Sequence, residues 1–385
     1  MTETRSNKRR VVILGSAWPL RGGLAAYNER LAREFLNQGY EVVIFGFSLQ
    51  YPSILFPGKT QYSTMPRPEG LEIKARVNSV NPLNWFRTAR EIRKLNPDLL
   101  IIKYWLPFMA PCLGTIAGLV KRGRKTRVVS VVDNMIPHEK RPGDHLLSKY
   151  FVRRVHGFVA MSESVLHDIA LFDHQKPRVL CMHPLYDHFG EPTPKHTARE
   201  NLGLKAEGRY ILFFGLIRDY KGLDVLLHAM ADPRLKESGV KLLVAGEFYS
   251  DPAPYHQLIK EKDLSDRVVL HDGFIPDNEV ANYFNACDLV VQPYKSATQS
   301  GVTQIAYHFN KPMVVTNVGG LPEMVPDGIA GYVVEPDPLA VAGAVNDFYA
   351  SDREEELIKG VEKEKEKYAW SHLTDAIMSV GNIEE

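Results

Sequence analysis

The sequence predicts two α/β domains, each built on a parallel β-sheet, and three observations lead to this prediction. The chain has 385 residues, which is long for a single domain and suits two. Apolar segments of strand length alternate with amphipathic helical segments in both halves of the chain. The strand segments are almost continuously apolar, which is typical of a parallel sheet buried on both faces.

The first domain is predicted to cover residues 1–190. A largely apolar stretch within it, 99–120, is long enough to suggest a membrane span, but it contains Lys103, Pro107 and Pro111. We therefore interpret it as a buried strand followed by a helix that begins near Pro111 and ends near Lys121. The predicted strands of this domain are RRVVILGS, YEVVIFGF, DLLIIKYW, RVVSVVD and GFVAMS, and its main helices are LAAYNERLAREFLNQG, WFRTAREIRKL and LLSKYFVRRV.

A segment rich in proline and histidine, 180–199, interrupts the alternation and predicts an interdomain linker. The alternation then resumes in a second predicted domain, residues 191–365. Its predicted strands are RYILFFG, VKLLVAG, VVLHDGF, DLVVQPY, PMVVTNVGG and AGYVVE, and helices follow to residue 385.

The net charge of +1 hides an asymmetry between the two halves. Residues 1–190 contain 28 Lys and Arg against 15 Asp and Glu, a balance of +13, whereas residues 191–385 contain 19 against 31, a balance of −12. The basic half suggests an anionic partner, such as a membrane surface or an acidic substrate. A simple difference in surface charge between two domains is the alternative. No sequence motif supports nucleic acid as the partner.

The cysteines and the N-terminal segment bear on the compartment. Cys112, Cys181 and Cys287 lie far apart and form neither a disulfide framework nor a CxxC metal pair, which fits a reducing compartment. The segment MTETRSNKRR is polar and leads directly into a strand, so no signal peptide is predicted. We expect a cytoplasmic protein.

The stretch FFGLIRDYKGLDVLL, residues 213–227, places two cations in a short turn between a strand and a helix. Arg218 offers a planar fork of donors and Lys221 a mobile point charge, which together suit a diphosphate. The alternative is a surface ion pair with Asp219 or Asp224. In a parallel α/β domain ligands bind at the carboxyl ends of the strands, where this turn belongs.

Three further groups follow predicted strands. Gly22-Gly23 and the segment Ser300–Thr303 each precede a helix whose free N–H groups can approach a phosphate. Gly319-Gly320 precedes Glu323, a carboxylate that could accept hydrogen bonds from sugar hydroxyls. Each group also has a purely structural interpretation: a glycine loop, an ordinary capped helix start, or a glutamate facing a helix dipole.

These segments stand together in an order that resembles the GT-B glycosyltransferases of family 4, the group 1 glycosyltransferases. The matching text is LRGGLAAYNERLAREFLNQGYEV, VDNMIPHE, FFGLIRDYKGLDVLL, VAGE, HDGFIPDNEVANYFNACDLVVQPY, KPMVVTNVGGLPEMV, GYVVEPDPLAVAGAV and YAWSHLTDAI. The resemblance implies two Rossmann-like domains that face a cleft, with a C-terminal helix, residues 366–385, that crosses back to the first domain. It also implies transfer with retention of anomeric configuration.

The resemblance further implies that a nucleotide-diphosphate sugar, a UDP- or GDP-sugar, is the donor and is held mainly by the second domain. Loss of the diphosphate develops negative charge, which Arg218 and Lys221 would stabilise in the transition state. Because these cations can replace a divalent ion and no Asp-x-Asp motif follows a strand, we expect no metal and no cofactor. The implied donor-binding residues are Gly22, Gly23, Arg218, Lys221, Glu247, Phe274, Ile275, Ser300, Gly301, Val302, Thr303 and Gln304, with Phe274 and Ile275 at the nucleotide base.

The sequence departs from the family pattern at a pair of glutamates that the family commonly has before its Lys-Pro. Counted back from Lys311-Pro312, the two positions are Ala297 and Ile305. Gln299 and Gln304 lie close by in sequence and could bind hydroxyls instead.

A second departure concerns the acceptor side. The family often has a histidine where this chain has Asp133. Asp133 could steer the acceptor hydroxyl or accept its proton, and the alternative is an aspartate that caps a helix or a turn. The predicted acceptor-side residues are Tyr104, Asp133 and His138, and the predicted catalytic residues are Asp133, Arg218 and Lys221.

Two features of the first domain suggest docking on an anionic membrane. One is the apolar loop text of residues 49–62, and the other is the helix NPLNWFRTAREIRKL. The alternative is that the helix packs on the sheet like any other. The helix is predicted to place Trp85, Phe86, Ala89, Ile92 and Leu95 on one face and Arg87, Arg90, Arg93 and Lys94 toward the other.

The sequence therefore predicts a metal-independent glycosyltransferase that acts on a lipid-linked or glycan hydroxyl in cell-surface polysaccharide or glycolipid synthesis. We expect it in the cytoplasm, peripheral on the inner face of the plasma membrane. Two other classes stay open: a catalytically silent GT-B scaffold, which the missing glutamates suggest, and a GT-B sugar enzyme of different chemistry, such as an epimerase or phosphorylase.

Overall fold

The computed structural model describes residues 8–52, 61–63, 65–123, 125–137, 141–297 and 300–383. The chain divides into two compact units. Unit 1 comprises Met1–His183 with Ala369–Glu385, and unit 2 comprises Pro184–Tyr368. The divisions lie a few residues from the boundaries predicted at 190 and 365.

Unit 1 is built on a seven-stranded parallel sheet with the strand order β3-β2-β1-β4-β5-β6-β7. Alternate residues of β1 enter two different apolar layers, Val12 and Leu14 on one face and Val11 and Ile13 on the other. The sheet is thus buried on both faces, as predicted. The strands are β1 Arg10–Leu14, β2 Glu41–Leu49, β3 Glu72–Asn78, β4 Leu99–Tyr104, β5 Arg127–Val132, β6 Gly157–Ala160 and β7 Arg178–Leu180.

The helices of unit 1 include the C-terminal helix, Trp370–Gly381, which packs against the first helix and against β5 and β6. Its carboxyl end is bonded to the sheet, because Arg127 Nε donates to the Gly381 carbonyl over 2.8 Å. The other helices are α1 Gly23–Asn37, α2 Pro82–Leu95, α3 Ala110–Lys121, α4 Asp144–Val152 and α5 Glu163–Phe172.

Unit 2 is built on a six-stranded parallel sheet with the strand order β10-β9-β8-β11-β12-β13. The strands are β8 Arg209–Phe214, β9 Val240–Gly246, β10 Val268–Asp272, β11 Leu289–Gln292, β12 Met313–Thr316 and β13 Gly331–Val334. The helices are α6 Lys195–Asn201, α7 Leu223–Met230, α8 Pro233–Glu237, α9 Ala253–Glu261, α10 Asp277–Ala286, α11 Gly301–His308, α12 Leu321–Met324, α13 Pro338–Ala350 and α14 Glu354–Lys365.

The two sheets confirm the predicted fold class of two parallel-sheet α/β domains. In each sheet the strand order reverses at a central strand, β1 in unit 1 and β8 in unit 2. Such a reversal opens a crevice at the carboxyl ends of the strands on either side of it, where ligands bind in folds of this class. The loops that follow β1 and β8 are therefore the parts of each unit to inspect for a site.

The strand and helix predicted for residues 99–121 are confirmed as β4 and α3. Within the part of the chain that the structure describes, no helix is long and apolar enough to span a bilayer. Two strands, β3 and β7, are not among the predicted ones. β3 is an edge strand whose residues are partly exposed, and β7 has three residues and leads into the linker, so neither is a continuous apolar run.

A buried carboxylate, Asp288, connects the elements of unit 2 at the start of β11. Its Oδ1 lies 2.6 Å from Lys195 Nζ and 2.8 Å from Arg199 Nη2, both on α6. Its Oδ2 accepts hydrogen bonds from the Tyr210 N–H over 2.8 Å and from the Tyr349 hydroxyl over 3.0 Å. Every polar atom of this buried carboxylate is used, which makes it a structural centre.

We expect Asp288→Asn to lower the free energy of unfolding of unit 2 by about 3–5 kcal/mol, because the buried Arg199 cation loses its counter-charge. Urea denaturation followed by circular dichroism measures this. Asp263→Asn is the matched control, since that carboxylate is exposed and 3.8 Å from Lys236, and we expect it to stay within about 0.5 kcal/mol of wild type. A loss below about 1 kcal/mol for Asp288→Asn would contradict the structural role.

Candidate functional site

The carboxyl edge of the unit 2 sheet is shaped by glycines whose backbones touch. A Cβ on Gly246, at the end of β9, would overlap the carbonyl oxygen of Gly215, the residue after β8. The two loops continue as a short ladder, because the Ile217 N–H donates to the Glu247 carbonyl over 2.8 Å and the Tyr249 N–H to the Ile217 carbonyl over 3.0 Å. The loop after β8 is therefore held firmly against the loop after β9.

The turn that carries Arg218 and Lys221 is a short 3-10 turn, Asp219–Lys221, directly before α7. It closes at Gly222, which has a left-handed φ of 69°. A Cβ on Gly222 would overlap the carbonyl oxygen of Pro293, just beyond β11, so only glycine fits. The turn that follows β8 is thereby held against the residue that follows the neighbouring strand β11.

Arg218 and Lys221 are held close together, and neither has an acidic partner among the described residues. Burial and the neighbouring Arg218 lower the pKa of the Lys221 ammonium to about 8. The Arg218 guanidinium lies 4.0 Å from the ring centroid of Tyr249, and its Nε is buried without a hydrogen-bond acceptor in the described chain. Two neighbouring cations with unused donors form a site for an anion.

The ion pairs that the sequence left open for these cations are not formed. Asp219 and Asp224 both bind Lys295 instead, with oxygen-to-nitrogen distances of 2.8 and 3.0 Å. Lys295 is therefore the ion-pair partner of both carboxylates, and neither of them pairs with Arg218 or Lys221. The surface ion-pair interpretation was wrong for this turn.

Helix α11 begins at Gly301 with Ser300 as its first flanking residue, as predicted. The side chains of this segment point inward. Ser300 Oγ donates to Gln292 Oε1 over 2.6 Å, and Gln292 Nε2 donates to Thr303 Oγ1 over 3.1 Å. Val302 is also buried. The segment thus offers an anion its backbone N–H groups rather than its side chains.

Gln304 is buried on α11, and neither its amide nitrogen nor its amide oxygen has a partner among the described residues. An unpaired buried amide is unfavourable, and a water molecule or a ligand group that penetrates to it would satisfy its donor and acceptor. Of the two positions where the family has glutamates, Ile305 is buried and Ala297 is half-buried. Gln299, the other predicted substitute, lies outside the described residues.

The loops after β9 and β10 contribute the remaining predicted residues. Glu247 is exposed and uses its carbonyl in the ladder to Ile217. Phe274, after Gly273, is 73% exposed, and Ile275 beside it is half-buried. Tyr249, which is 69% exposed beside Arg218, is not among the predicted residues. Its only sequence signal is an aromatic residue shortly after a strand-ending glycine.

In unit 1, Gly22 and Gly23 lie at the N-terminus of a helix, α1, as predicted. Gly22 precedes the helix with a φ of 102°, Gly23 is its first residue, and both are exposed. The first turn contains no acidic side chain. Glu323, in contrast, is exposed in the first turn of the short helix α12 of unit 2, where both interpretations of it stay open.

Asp133 follows β5 and extends its ladder, because its N–H donates to the Tyr104 carbonyl over 2.9 Å. Its Oδ1 lies 2.6 Å from Lys103 Nζ. The carboxylate therefore belongs to an ion pair, and in the described chain it accepts no turn-capping hydrogen bond. Lys103 was missed as a site residue, although a lysine inside the otherwise apolar text LLIIKY is a visible signal.

The assignment of Tyr104 to the acceptor side was wrong. Its ring is fully buried and stacks on Phe151 at a centroid distance of 4.2 Å, and its hydroxyl lies 3.2 Å from Ser148 Oγ. A residue enclosed in this way has no surface to offer an acceptor. His138 lies outside the described residues.

One apolar residue of α2, the basic helix of unit 1, faces the solvent although it is predicted on the packed face. Ala89 and Ile92 are buried as predicted, but Phe86 is 55% exposed. It lies on the outer face, where Leu83 is 71% exposed. The outer face also presents three exposed cations: Arg87, Arg90 and Lys94. We call these five residues the outer stripe of α2. Its spacing of three and four residues keeps them on one side of the helix.

The lowered pKa of Lys221 makes anion binding at this site dependent on pH. We expect sulfate affinity to be constant well below pH 8 and to fall as the pH rises through about 8, because the free ammonium then loses its proton. Isothermal titration with sulfate, which does not itself titrate in this range, measures this. Lys221→Arg keeps its charge and should bind with no such dependence. A wild-type affinity that is flat up to pH 10 would contradict the assignment.

Solved structures of low sequence identity share this fold. A glycosyltransferase from Rickettsia africae is 17% identical, with a TM-score of 0.70 over 98% of this chain and 100% of that one. HepE from Anabaena, solved in complex with UDP, is 16% identical, with a TM-score of 0.69 over 96% of this chain and 98% of that one. Both likenesses extend over nearly the entire chain.

Among characterised proteins, the D-inositol 3-phosphate glycosyltransferase of Mycolicibacterium smegmatis is 29% identical over 221 residues, which are 55% of this chain and 49% of that protein. The chain spans about half the length of the curated relatives it matches. Residues 21–186 match Glycosyltransferase Family 4, and residues 208–351 match Glycosyl transferases group 1. The first match lies almost entirely in unit 1 and the second lies in unit 2, and together they support a group 1 glycosyltransferase.

Proposed function

We propose that this protein transfers a sugar from a nucleotide-diphosphate sugar to a hydroxyl acceptor, with the diphosphate bound at Arg218 and Lys221. The observation that carries the proposal is the pair itself: two neighbouring cations, partly buried, with no acidic partner among the described residues. Keeping like charges together is unfavourable in the empty site. A bound diphosphate offsets the repulsion between the two cations, because both attract it. The attraction is strongest when the negative charge on the diphosphate increases.

The reaction has such a step. The bond between the anomeric carbon and the diphosphate oxygen breaks with its electron pair remaining on the diphosphate, and a bond to the acceptor oxygen forms. The acceptor's hydroxyl proton leaves, and we assign Asp133 to accept it or to steer the hydroxyl. Arg218 and Lys221 then stabilise the leaving group more strongly than the bound donor, which is what accelerates a reaction.

The donor is proposed to be a UDP- or GDP-sugar. HepE, which shares the fold, has been solved with UDP and with UDP-glucose, which supports a donor of this class. Phe274 and Tyr249 are exposed aromatic residues in loops at the carboxyl edge of the unit 2 sheet, the edge that also carries Arg218 and Lys221. The unpaired amide of Gln304 has a donor and an acceptor for a sugar hydroxyl. These contacts would take the place of the two missing glutamates.

We propose that the transfer retains anomeric configuration, as the family resemblance implies, and that no divalent metal takes part. In the part of the chain that the structure describes, no group of three or more His, Cys, Asp or Glu side chains is arranged to hold a metal. Two fixed cations at the diphosphate supply the charge neutralisation that a metal supplies elsewhere.

A catalytically silent scaffold is the second candidate, because both family glutamates are absent. The unpaired cations weigh against it, since a silent protein gains nothing from an unfavourable like-charge pair. The acceptor is proposed to be a lipid-linked or glycan hydroxyl in cell-surface polysaccharide or glycolipid synthesis. The protein is proposed to act in the cytoplasm, peripheral on the inner face of the plasma membrane.

The outer stripe of α2 supports the membrane part of this proposal. Its apolar side chains, Leu83 and Phe86, are large and exposed, and its cations lie on the same face. Exposed apolar side chains that enter the interface, flanked by cations that attract anionic headgroups, are typical of peripheral membrane helices.

Donor binding is tested first. Nucleotides and nucleotide sugars, each with and without EDTA, are screened by thermal unfolding. We expect one class to stabilise the protein by about 2.7 kcal/mol at a hundred times its dissociation constant, with no effect of EDTA. The double variant Arg218→Ala/Lys221→Ala should lose the shift. Lys260→Ala/Lys262→Ala, which removes two exposed cations from the end of α9, should keep it. No shift with any nucleotide would contradict the donor site and favour the scaffold.

Membrane docking is tested by sedimentation with vesicles of phosphatidylglycerol and phosphatidylcholine, and with phosphatidylcholine alone. Arg87→Gln/Arg90→Gln/Lys94→Gln should weaken binding to the anionic vesicles about a hundredfold, at about 1 kcal/mol per cation. Leu83→Ser/Phe86→Ser should also weaken it, whereas Leu171→Ser, an exposed leucine on α5, should not. Equal binding to both vesicle types would contradict docking through this stripe.

A further inference from the structure

Lys103 is a buried cation at the end of an apolar strand. The four residues before it in β4, Leu99–Ile102, are fully buried aliphatic residues, and Lys103 itself is 1% exposed. Burial lowers the pKa of its ammonium, and Asp133 opposes that shift. A buried ion pair contributes little net stability compared with apolar side chains of the same size. Packing alone therefore does not account for a lysine at this position.

The space around Lys103 is formed by the end of β1 and by α1. A Cβ on Gly15 would overlap Nδ2 of Asn28 and would come within 3.4 Å of Lys103 Cβ. The ammonium lies 3.4 Å from the ring centroid of Tyr27, which covers it from α1. Within the described chain, Nζ has a 2.6 Å contact to Asp133 Oδ1 and no well-aligned hydrogen-bond acceptor.

Tyr27 is itself fixed from several sides. Its hydroxyl lies 3.7 Å from Met161 Sδ, and its ring packs against the rings of His183 and Trp370 at centroid distances of 5.2 and 5.1 Å. The ring holds the lysine from one side and the carboxylate attracts it from the other. The ammonium thus lies between the Tyr27 ring and the Asp133 carboxylate.

Asp133 is the exposed member of the pair. Its side chain is 23% exposed, and its backbone is fixed by the hydrogen bond to the Tyr104 carbonyl. A carboxylate anchored at both backbone and side chain, with one part still reaching the surface at the carboxyl end of β5, can present an oxygen to a substrate in a defined direction.

We infer that Lys103 is a positioning residue for Asp133: its buried ammonium orients that carboxylate toward the acceptor hydroxyl. The inference rests on the proposed function, in which Asp133 steers or deprotonates the acceptor. Lys103 touches neither donor nor acceptor in this assignment and acts only through the carboxylate.

The test is a double-mutant cycle in steady-state kinetics with Lys103→Met, Asp133→Asn and the two combined. We expect each single variant to lower kcat about a hundredfold or more while the donor KM stays within about twofold of wild type. The combined variant should be no slower than Asp133→Asn alone, because Lys103 has no effect once its carboxylate is gone. Lys74→Met, which removes a lysine paired with Glu72 in β3, is the matched control and should keep wild-type kcat.

Urea denaturation at the assay temperature measures the free energy of unfolding of each variant. The kinetics are run at a temperature where every variant is folded, so that a lower kcat does not reflect a loss of folded protein. Independent effects that multiply in the combined variant, or a Lys103→Met enzyme with wild-type kcat, would overturn the positioning role and leave the proposed function intact. A wild-type protein that binds nucleotide yet transfers sugar from none of the donors would overturn the proposed function, and the positioning role with it.

Discussion

The close backbone contact between Gly222 and Pro293 is the constraint on which the candidate site depends. It leaves no room for a side chain, so the turn after β8 is pinned against the residues that follow β11. The contact between Gly215 and Gly246 pins the same loop against β9. Arg218 and Lys221 are thus brought together by backbone geometry, which can hold two like charges in place where side-chain attraction would not. Burial first, and the neighbouring Arg218 second, lower the pKa of Lys221.

Three buried or partly buried charge clusters differ in how completely they are neutralised, and this difference separates scaffold from site. Asp288 uses both carboxylate oxygens on four partners and holds unit 2 together. Lys103 has one carboxylate partner, Asp133, which remains partly exposed. Arg218 and Lys221 have no acidic partner in the described chain. Full neutralisation serves stability, whereas incomplete neutralisation leaves interactions available to a ligand.

The missing family glutamates change the polar character of α11 more than its position. The helix still begins beside the end of β11, because Ser300 and Thr303 bond to the Gln292 side chain. Beside the second of the two glutamate positions, α11 carries a neutral amide, Gln304, with both of its polar atoms unpaired in the described residues. With neither glutamate present, the chain has no carboxylate at these two positions that could offset the charge of Arg218 and Lys221.

The sequence by itself determined the two parallel sheets, the positions of most strands and the loops that carry the site, because buried parallel strands are continuous apolar runs and glycines mark the turns after them. It also singled out Arg218, Lys221 and Asp133. Only the tertiary structure decided their partners: Lys295 takes Asp219 and Asp224, Lys103 takes Asp133, and Tyr104 turns into the core. Side-chain partners depend on which strands become neighbours, and local periodicity does not determine the strand order. It also does not determine that Phe86 faces outward.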